Sequence, residues 1–367
     1  MSDFRVYYDA ANALLNGEQV YGKAFGLSSG FYKYSPFACL IFIPLAVLPY
    51  AAASIIYYLL ITGGIIFFSL RVSNYLEQEN NSAYRFALPV LTGFFLIDHL
   101  ERELHLGNIN LFLLIALFEC YILLKSKKDW MGGIWFGLVL LFKPHFLLLL
   151  PYLLWKKRIQ ALATAISTIA IGLLTPAIGI GWLGNAELLH SWFTAMSDHN
   201  LSLQTSPNTI YGLINNSLLQ GQAGSWLVLI ILAVISCFVA FRIIQRNKES
   251  GSFWSNQIHF SEYFLLVGLV PNLVHTDTEH FMWVWPMLAL AILSALINKT
   301  KNRILIIALL GIAFVPFAIN TPDIVGSHVQ DVFDNGGLGI ANLLILACAL
   351  IADSKLNRNQ HAEIRFS

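Results

Sequence analysis

The chain has 367 residues, of which 57% are hydrophobic and only 12% are Asp, Glu, Lys or Arg, with a mean hydropathy of +0.64; soluble domains carry roughly 25% charge. Apolar runs of about 18 residues recur along its length, which makes it an all-α polytopic membrane protein. A formal net charge of +1 with no basic, aromatic-interleaved patch excludes a nucleic-acid binder, and four cysteines scattered through apolar runs (Cys39, Cys120, Cys237, Cys348) form neither a zinc motif nor a disulfide framework.

The polar-leaning front of the chain, Ser2–Pro36, carries Asp3 and Asp9. Phe4, Tyr7, Tyr8, Ala11, Leu14 and Leu15 recur on one side of a helix, and Gly17 is placed to stop it. This predicts a helix lying on a membrane surface, with Asp3 at its positive end, where the carboxylate is an N-cap or an ionised functional group. Phe37–Leu48 is short and broken by prolines, so a re-entrant or interfacial helix is expected. Ala53–Leu70 is the first full span. Phe86–Ile97 is a shorter one that ends in a compact charged turn, DHLERELHLGN, before Leu106–Leu124 crosses back.

Lysines flank Trp130–Trp155 on both sides, which a single crossing would place on opposite faces. Two short helices, Trp130–Phe142 and Phe146–Trp155, with Lys143 at the far turn, resolve the conflict. Ile159–Ile180 then returns to a long loop, Gly181–Ser225, that has no Lys or Arg. Further crossings follow at Trp226–Phe241, Tyr263–Val274, Phe281–Ile297, Ile304–Ile319 and Leu338–Ala352. The scheme has about 11 crossings. It divides the chain into an outer-face loop (1–36), a transmembrane bundle (37–352) and a cytoplasmic polar tail (353–367). All Lys and Arg except Arg5, Lys23, Lys33, Arg102 and Lys143 share one face, so that face is cytoplasmic. The N-terminus then lies outside with nothing to carry it across, and a helix upstream of Met1 is expected.

Ionisable residues near bilayer depth are functional candidates. On the outer face these include Asp3, Asp9, Glu101, Arg102, Lys143, His275 and His280, whereas Glu103, His190, Asp198 and His199 read as solvated loop residues. Lys143 lies between Leu140–Phe142 and Phe146–Leu150, so it needs an anionic partner or a phosphate. In HTDTEH, His275 and His280 bracket two acids at a spacing that matches no zinc motif, and no metal is expected. A helix starting near Thr278 would put His280 in its first turn, where it could meet a phosphate.

SDFRVYYDAANALLNGEQVYG followed by FYKYSPFACLIFIPLAVLP resembles the first outer loop of the GT-C glycosyltransferases that use polyprenyl-phosphate sugars, in particular glycosyltransferase family 87. HLGNINLFLL, GLVLLFKPHFLLLLPYLLWKKR, SPNTIYGLINN and HTDTEHFMWVWPML resemble later motifs of that family in the right order, although Asn108 stands where Gln is usual. The resemblance implies a GT-C-like bundle that lacks its usual first helix, in a bacterial plasma membrane with its site on the periplasmic face. It also implies a hexosyltransferase, most simply a mannosyltransferase, that moves sugar from a polyprenyl-phosphate donor to a glycan or glycolipid acceptor with inversion. By this likeness Asp3 is the general base. Lys143 and His280, with Arg102 and His275, are the cations for the lipid phosphate, and Asp9, Glu101, Asn108 and Asn208 are secondary acceptor-side candidates. No cofactor is implied. The alternative is a secondary transporter or lipid-linked-sugar flippase, for which internal repeats and mid-membrane charges are expected.

Overall fold

The computed structural model describes residues 1–25, 30–80, 84–200, 206–217, 219, 226–249, 256–274, 277–297 and 301–366. Its described elements are helices and turns, apart from one isolated β-bridge between Ala24 and Phe31. Two compact units are present: Met1–Gly64 with Arg102–Leu203 and Asn256–Ile258, and Ile65–Glu101 with Gln204–Ser255 and His259–Ser367.

The first unit begins with α1 (Ser2–Leu15), which buries Phe4, Val6, Tyr7, Ala10, Ala11, Ala13 and Leu14 on one side, as the spacing predicts for Phe4, Tyr7, Ala11 and Leu14, while Tyr8 is half-buried and Leu15 is exposed. Gly17, at φ +68, ends it: its N–H bonds the Leu14 carbonyl and the Glu18 N–H bonds the Ala13 carbonyl, closing the exposed last turn. The proline-rich α2 (Pro36–Ala46) is too short to span. The next helix, α3 (Tyr50–Asn80), runs past Arg71, where a loop was expected. Lacking glycine or proline after Gly64, the polar stretch simply continues the helix.

Two other expected loops are also helical. DHLERELHLGN forms α5 (Ile97–Leu106), after α4 (Ala87–Phe95), and turns through 116° into α6 (Asn110–Lys125). The lysine-free stretch after Gly181 forms most of α10 (Ala177–Asn200), bent by 91° from α9 (Ile159–Leu174). An absence of Lys and Arg reports sidedness and not backbone conformation, and no proline or glycine interrupts Asn185–Asn200.

The sequence-derived break in Trp130–Trp155 is present. Helix α7 (Asp129–Phe142) stops at Lys143, a 3-10 turn spans Pro144–Leu149, and α8 (Leu150–Trp155) follows. Pro144 pushes Lys143 out of helical geometry, to φ −133 and ψ 96. Packing of α7 against α9 is set by small residues. A methyl group on Gly133 would run into the Ala161 carbonyl oxygen, and one on Gly137 would lie 2.7 Å from the Ala165 carbonyl oxygen. Glycines four apart facing Ala161 and Ala165 let the two backbones touch, as small-residue interfaces in membranes do. Gly133→Leu is expected to destabilise the protein by about 1–3 kcal/mol through overpacking, visible as a lower unfolding temperature and loss of monodisperse protein in detergent.

The second unit contains α11 (Ile210–Ser217), α12 (Trp226–Glu249), α13 (Phe260–Leu273), a 3-10 turn at Thr278–Val284, α14 (Trp285–Ile297), α15 (Lys301–Ala318), the short α16 (Pro322–Val325) and α17 (Ser327–Val332), and α18 (Leu338–Phe366). Among the described residues four helices are long and apolar enough to cross a membrane, or six if each bent pair is one span. Five further apolar helices have 10–17 residues. The chain is therefore an all-helical, multi-pass membrane protein. Length and composition give four to six spans, and the finer count of about 11 crossings remains an expectation from the sequence.

Candidate active site

In the first unit the site is built on the bend between α5 and α6. Gly107 makes that bend at φ +69, and a Cβ there would sit 2.8 Å from the Phe4 Cβ, so α1 rests directly on the bend. Fully buried Phe4 stacks on the Tyr57 ring with centroids 4.4 Å apart. This packing brings the start of α1 to Asn108, whose Nδ2 donates to Asp3 Oδ2 at 2.8 Å. The amide cannot turn round without loss, because its Oδ1 accepts from the Ile109 N–H at 2.7 Å and from the Tyr7 hydroxyl at 3.2 Å. The Asn108 carbonyl accepts from the Tyr57 hydroxyl at 3.1 Å. Burial pushes the Tyr7 phenol well above its ordinary pKa, so it stays a neutral donor beside Asp3.

Gly107→Ala combines a left-handed backbone with a steric clash against Phe4. A loss of about 1–3 kcal/mol in stability is expected, measured by thermal unfolding in detergent.

A second constellation in the same unit surrounds Lys143, which is 7% exposed at the end of α7. Its Nζ donates to Asn110 Oδ1 at 2.7 Å. Asn110 Nδ2 donates in turn to Glu103 Oε2 at 3.2 Å, and Glu103 Oε1 accepts the Leu111 N–H at 2.8 Å. Glu103, expected to be a solvated loop residue, is fully buried. The readable signal was the recurrence of Leu96, His99, Glu103 and Gly107, which is helical and marks the buried face of α5.

Other expected residues fall elsewhere. Asp9 is paired with Arg5 at 2.6 Å, and the Arg5 guanidinium lies 4.4 Å from the centre of the Tyr50 ring. Hydrogen bonding to Asp9 raises the Arg5 pKa. Glu101 and Arg102 are exposed on α5.

In the second unit His280 occupies the first turn of the 3-10 helix that starts at Thr278, as expected. Its Nδ1 lies 3.1 Å from the Asp277 carbonyl oxygen, and its ring meets Trp283 edge-on. Fully buried His99 holds the start of the same turn, with Nδ1 3.0 Å from the Thr278 carbonyl oxygen. Asp277, Glu279 and His280 offer donor atoms within 4.8 Å of one another, a mixed carboxylate and imidazole set that suits a divalent cation. His275 lies outside the described residues, as do the side chains of Asp198 and His199. Asn208 serves the fold: its Oδ1 accepts the Gly339 N–H at 3.0 Å and its Nδ2 donates to the Asp334 carbonyl at 3.0 Å. Asn272 and Asn342 extend that network across the start of α18.

The family model for glycosyltransferase family 87 matches residues 31–268, well over half of the chain. The chain belongs to glycosyltransferase family 87. The matched stretch contains Glu103, Asn108, Asn110 and Lys143, while Asp3 precedes it and His280 follows it. Curated relatives include an alpha-(1->3)-arabinofuranosyltransferase of Corynebacterium glutamicum, 28% identical over 49% of this chain and 42% of that protein. A protein of the same name from Mycobacterium tuberculosis H37Rv is 26% identical over 69% of this chain and 57% of that protein. The chain thus spans less than two thirds of the length of either relative. Both are named for a pentofuranose, where a hexose was expected. No solved structure matches the chain.

Proposed function

We propose that this family 87 chain transfers a glycosyl group from a polyprenyl-phosphate sugar to a hydroxyl of a glycan or glycolipid, at the periplasmic face of a bacterial plasma membrane. The observation that carries the reading is the half-buried Asp3 carboxylate, held at the start of α1 by Asn108. A carboxylate oriented by an amide can take the acceptor's proton. The acceptor oxygen then bonds to the anomeric carbon from the face opposite the phosphate. The carbon–oxygen bond to phosphate breaks and the configuration inverts. The departing polyprenyl phosphate gains negative charge, which the Lys143 ammonium stabilises. A phosphate leaving group needs little protonation, so one base suffices where glycosidases use two carboxylates.

The sugar read from family resemblance alone was mannose; the names of the relatives make an arabinofuranosyl donor the first to test. The experiment incubates the purified chain in proteoliposomes with labelled polyprenyl-phosphate arabinofuranose, mannose or glucose and an extract of lipid-linked glycan acceptors. Transfer from one donor, with release of polyprenyl phosphate, is the expected result. Movement of intact donor across the bilayer with no transfer from any of them would replace this reading with that of a flippase.

A further inference from the structure

We infer that Glu103 and Asn110 are positioning residues that hold the Lys143 ammonium in place for an incoming lipid phosphate; this rests on the proposed phosphate-binding role of Lys143. The stretch HLGNIN places two asparagines two residues apart, and each amide serves a different charged group. Asn108 faces Asp3, whereas Asn110 stands between Glu103 and Lys143. Asn110 is fully buried, and both ends of its amide are used in the only sense that suits two charges: oxygen toward the ammonium, nitrogen toward the carboxylate.

A lysine this buried loses most of its hydration, which penalises the charged form. A fully buried carboxylate one amide away offsets that penalty, and the amide between them is polarised by both. The carboxylate has support of its own: Glu103 Oε1 receives the Leu111 N–H at the first turn of α6, where the helix dipole favours negative charge. A continuous chain therefore leads from the start of α6 through Glu103 and Asn110 to Lys143. One ammonium hydrogen is committed to Asn110, which fixes where the Nζ lies before a phosphate arrives. A cation fixed in advance needs little ordering when it binds. Glu103 lies on α5 and Asn110 opens α6, so the same bend that sets Asp3 against Asn108 also sets Lys143.

The test measures binding of unglycosylated polyprenyl phosphate, the product common to every donor sugar, to the full chain in detergent. Native protein is compared with Lys143→Gln, Glu103→Gln and Asn110→Ala, and with each of the latter two combined with Lys143→Gln. Lys143→Gln, Glu103→Gln and Asn110→Ala are each expected to weaken binding about tenfold or more. In the Lys143→Gln background, Glu103→Gln and Asn110→Ala should weaken it by less than about twofold further, because residues that act through one partner do not add. A merely structural role would give full additive losses in that background, or unchanged affinity in the single variants, and either result overturns the inference while leaving the role of Lys143 intact. Unchanged affinity in Lys143→Gln would instead remove the phosphate role of Lys143 and the inference with it. Thermal unfolding checks each variant; should Glu103→Gln not fold, Asn110→Ala and Asn110→Ser with their double variants decide the question.

Discussion

Asp3→Asn is expected to reduce sugar transfer by about 10²–10⁴-fold, the span that a positioned general base contributes, while the unfolding temperature stays close to that of the native chain. The substitution is nearly isosteric. An Asn108 Nδ2 that donates to Asp3 Oδ2 at 2.8 Å can donate equally to an amide oxygen, so α1 keeps its seat on the α5–α6 bend. What disappears is the capacity to accept a proton. The neighbouring Tyr7 phenol does not replace it at neutral pH: burial holds it well above its ordinary pKa, so it cannot ionise and serve as a base. Asp9→Asn is the matched control. Asp9 is engaged by Arg5 at 2.6 Å on a partly exposed face, and exposed pairs of this kind contribute about 0–1 kcal/mol. Its loss should leave most of the transfer rate. Initial rates at saturating donor separate the two variants, and a fully active Asp3→Asn protein would move the base elsewhere.

The parts of the fold that were legible in the sequence are those governed by local rules. The one-sided spacing of Phe4, Tyr7, Ala11 and Leu14 gave α1, Gly17 gave its end, and Lys143–Pro144 gave the break after α7. The start of a helical turn at Thr278, with His280 in it, followed from the same kind of reading. Illegible were features that depend on what a helix meets. The helical recurrence of Leu96, His99, Glu103 and Gly107 marks a buried face, but periodicity does not reveal that Asn110 and the Leu111 N–H meet the Glu103 carboxylate there. The close approach of α7 and α9 needs Ala161 and Ala165 opposite Gly133 and Gly137, a pairing between segments that periodicity within either cannot reveal. Asn208 stood out as a motif residue, yet its amide ties the start of α11 to that of α18, a role visible only once those distant segments are placed together. Charge asymmetry misled in one respect. A stretch without lysine was read as a loop, while its unbroken run from Asn185 to Asn200 forms a helix.

Lys143→Met is expected to lower the transfer rate at saturating donor by about 10²–10³-fold, the range seen when one group that stabilises a developing oxyanion is removed. Charge builds on the phosphate only as the bond to the anomeric carbon breaks, so a cation at that oxygen acts mainly on the transition state and lowers kcat as well as raising donor KM. Lys143→Arg should not rescue the loss. The site admits a compact ammonium 2.7 Å from Asn110 Oδ1 in a pocket that leaves the side chain 7% exposed, whereas a planar guanidinium is wider and directs its donors differently. Methionine also leaves Asn110 Oδ1 without its charged donor, at a cost of about 1–3 kcal/mol. Rates are therefore compared at a temperature where circular dichroism shows both variants folded. A Lys143→Met protein with native kcat and KM would show that the buried ammonium belongs to the fold alone. A large loss of kcat together with a raised donor KM, with the helical signal intact, would place it on the leaving phosphate, with the Asp3 carboxylate left to act on the acceptor.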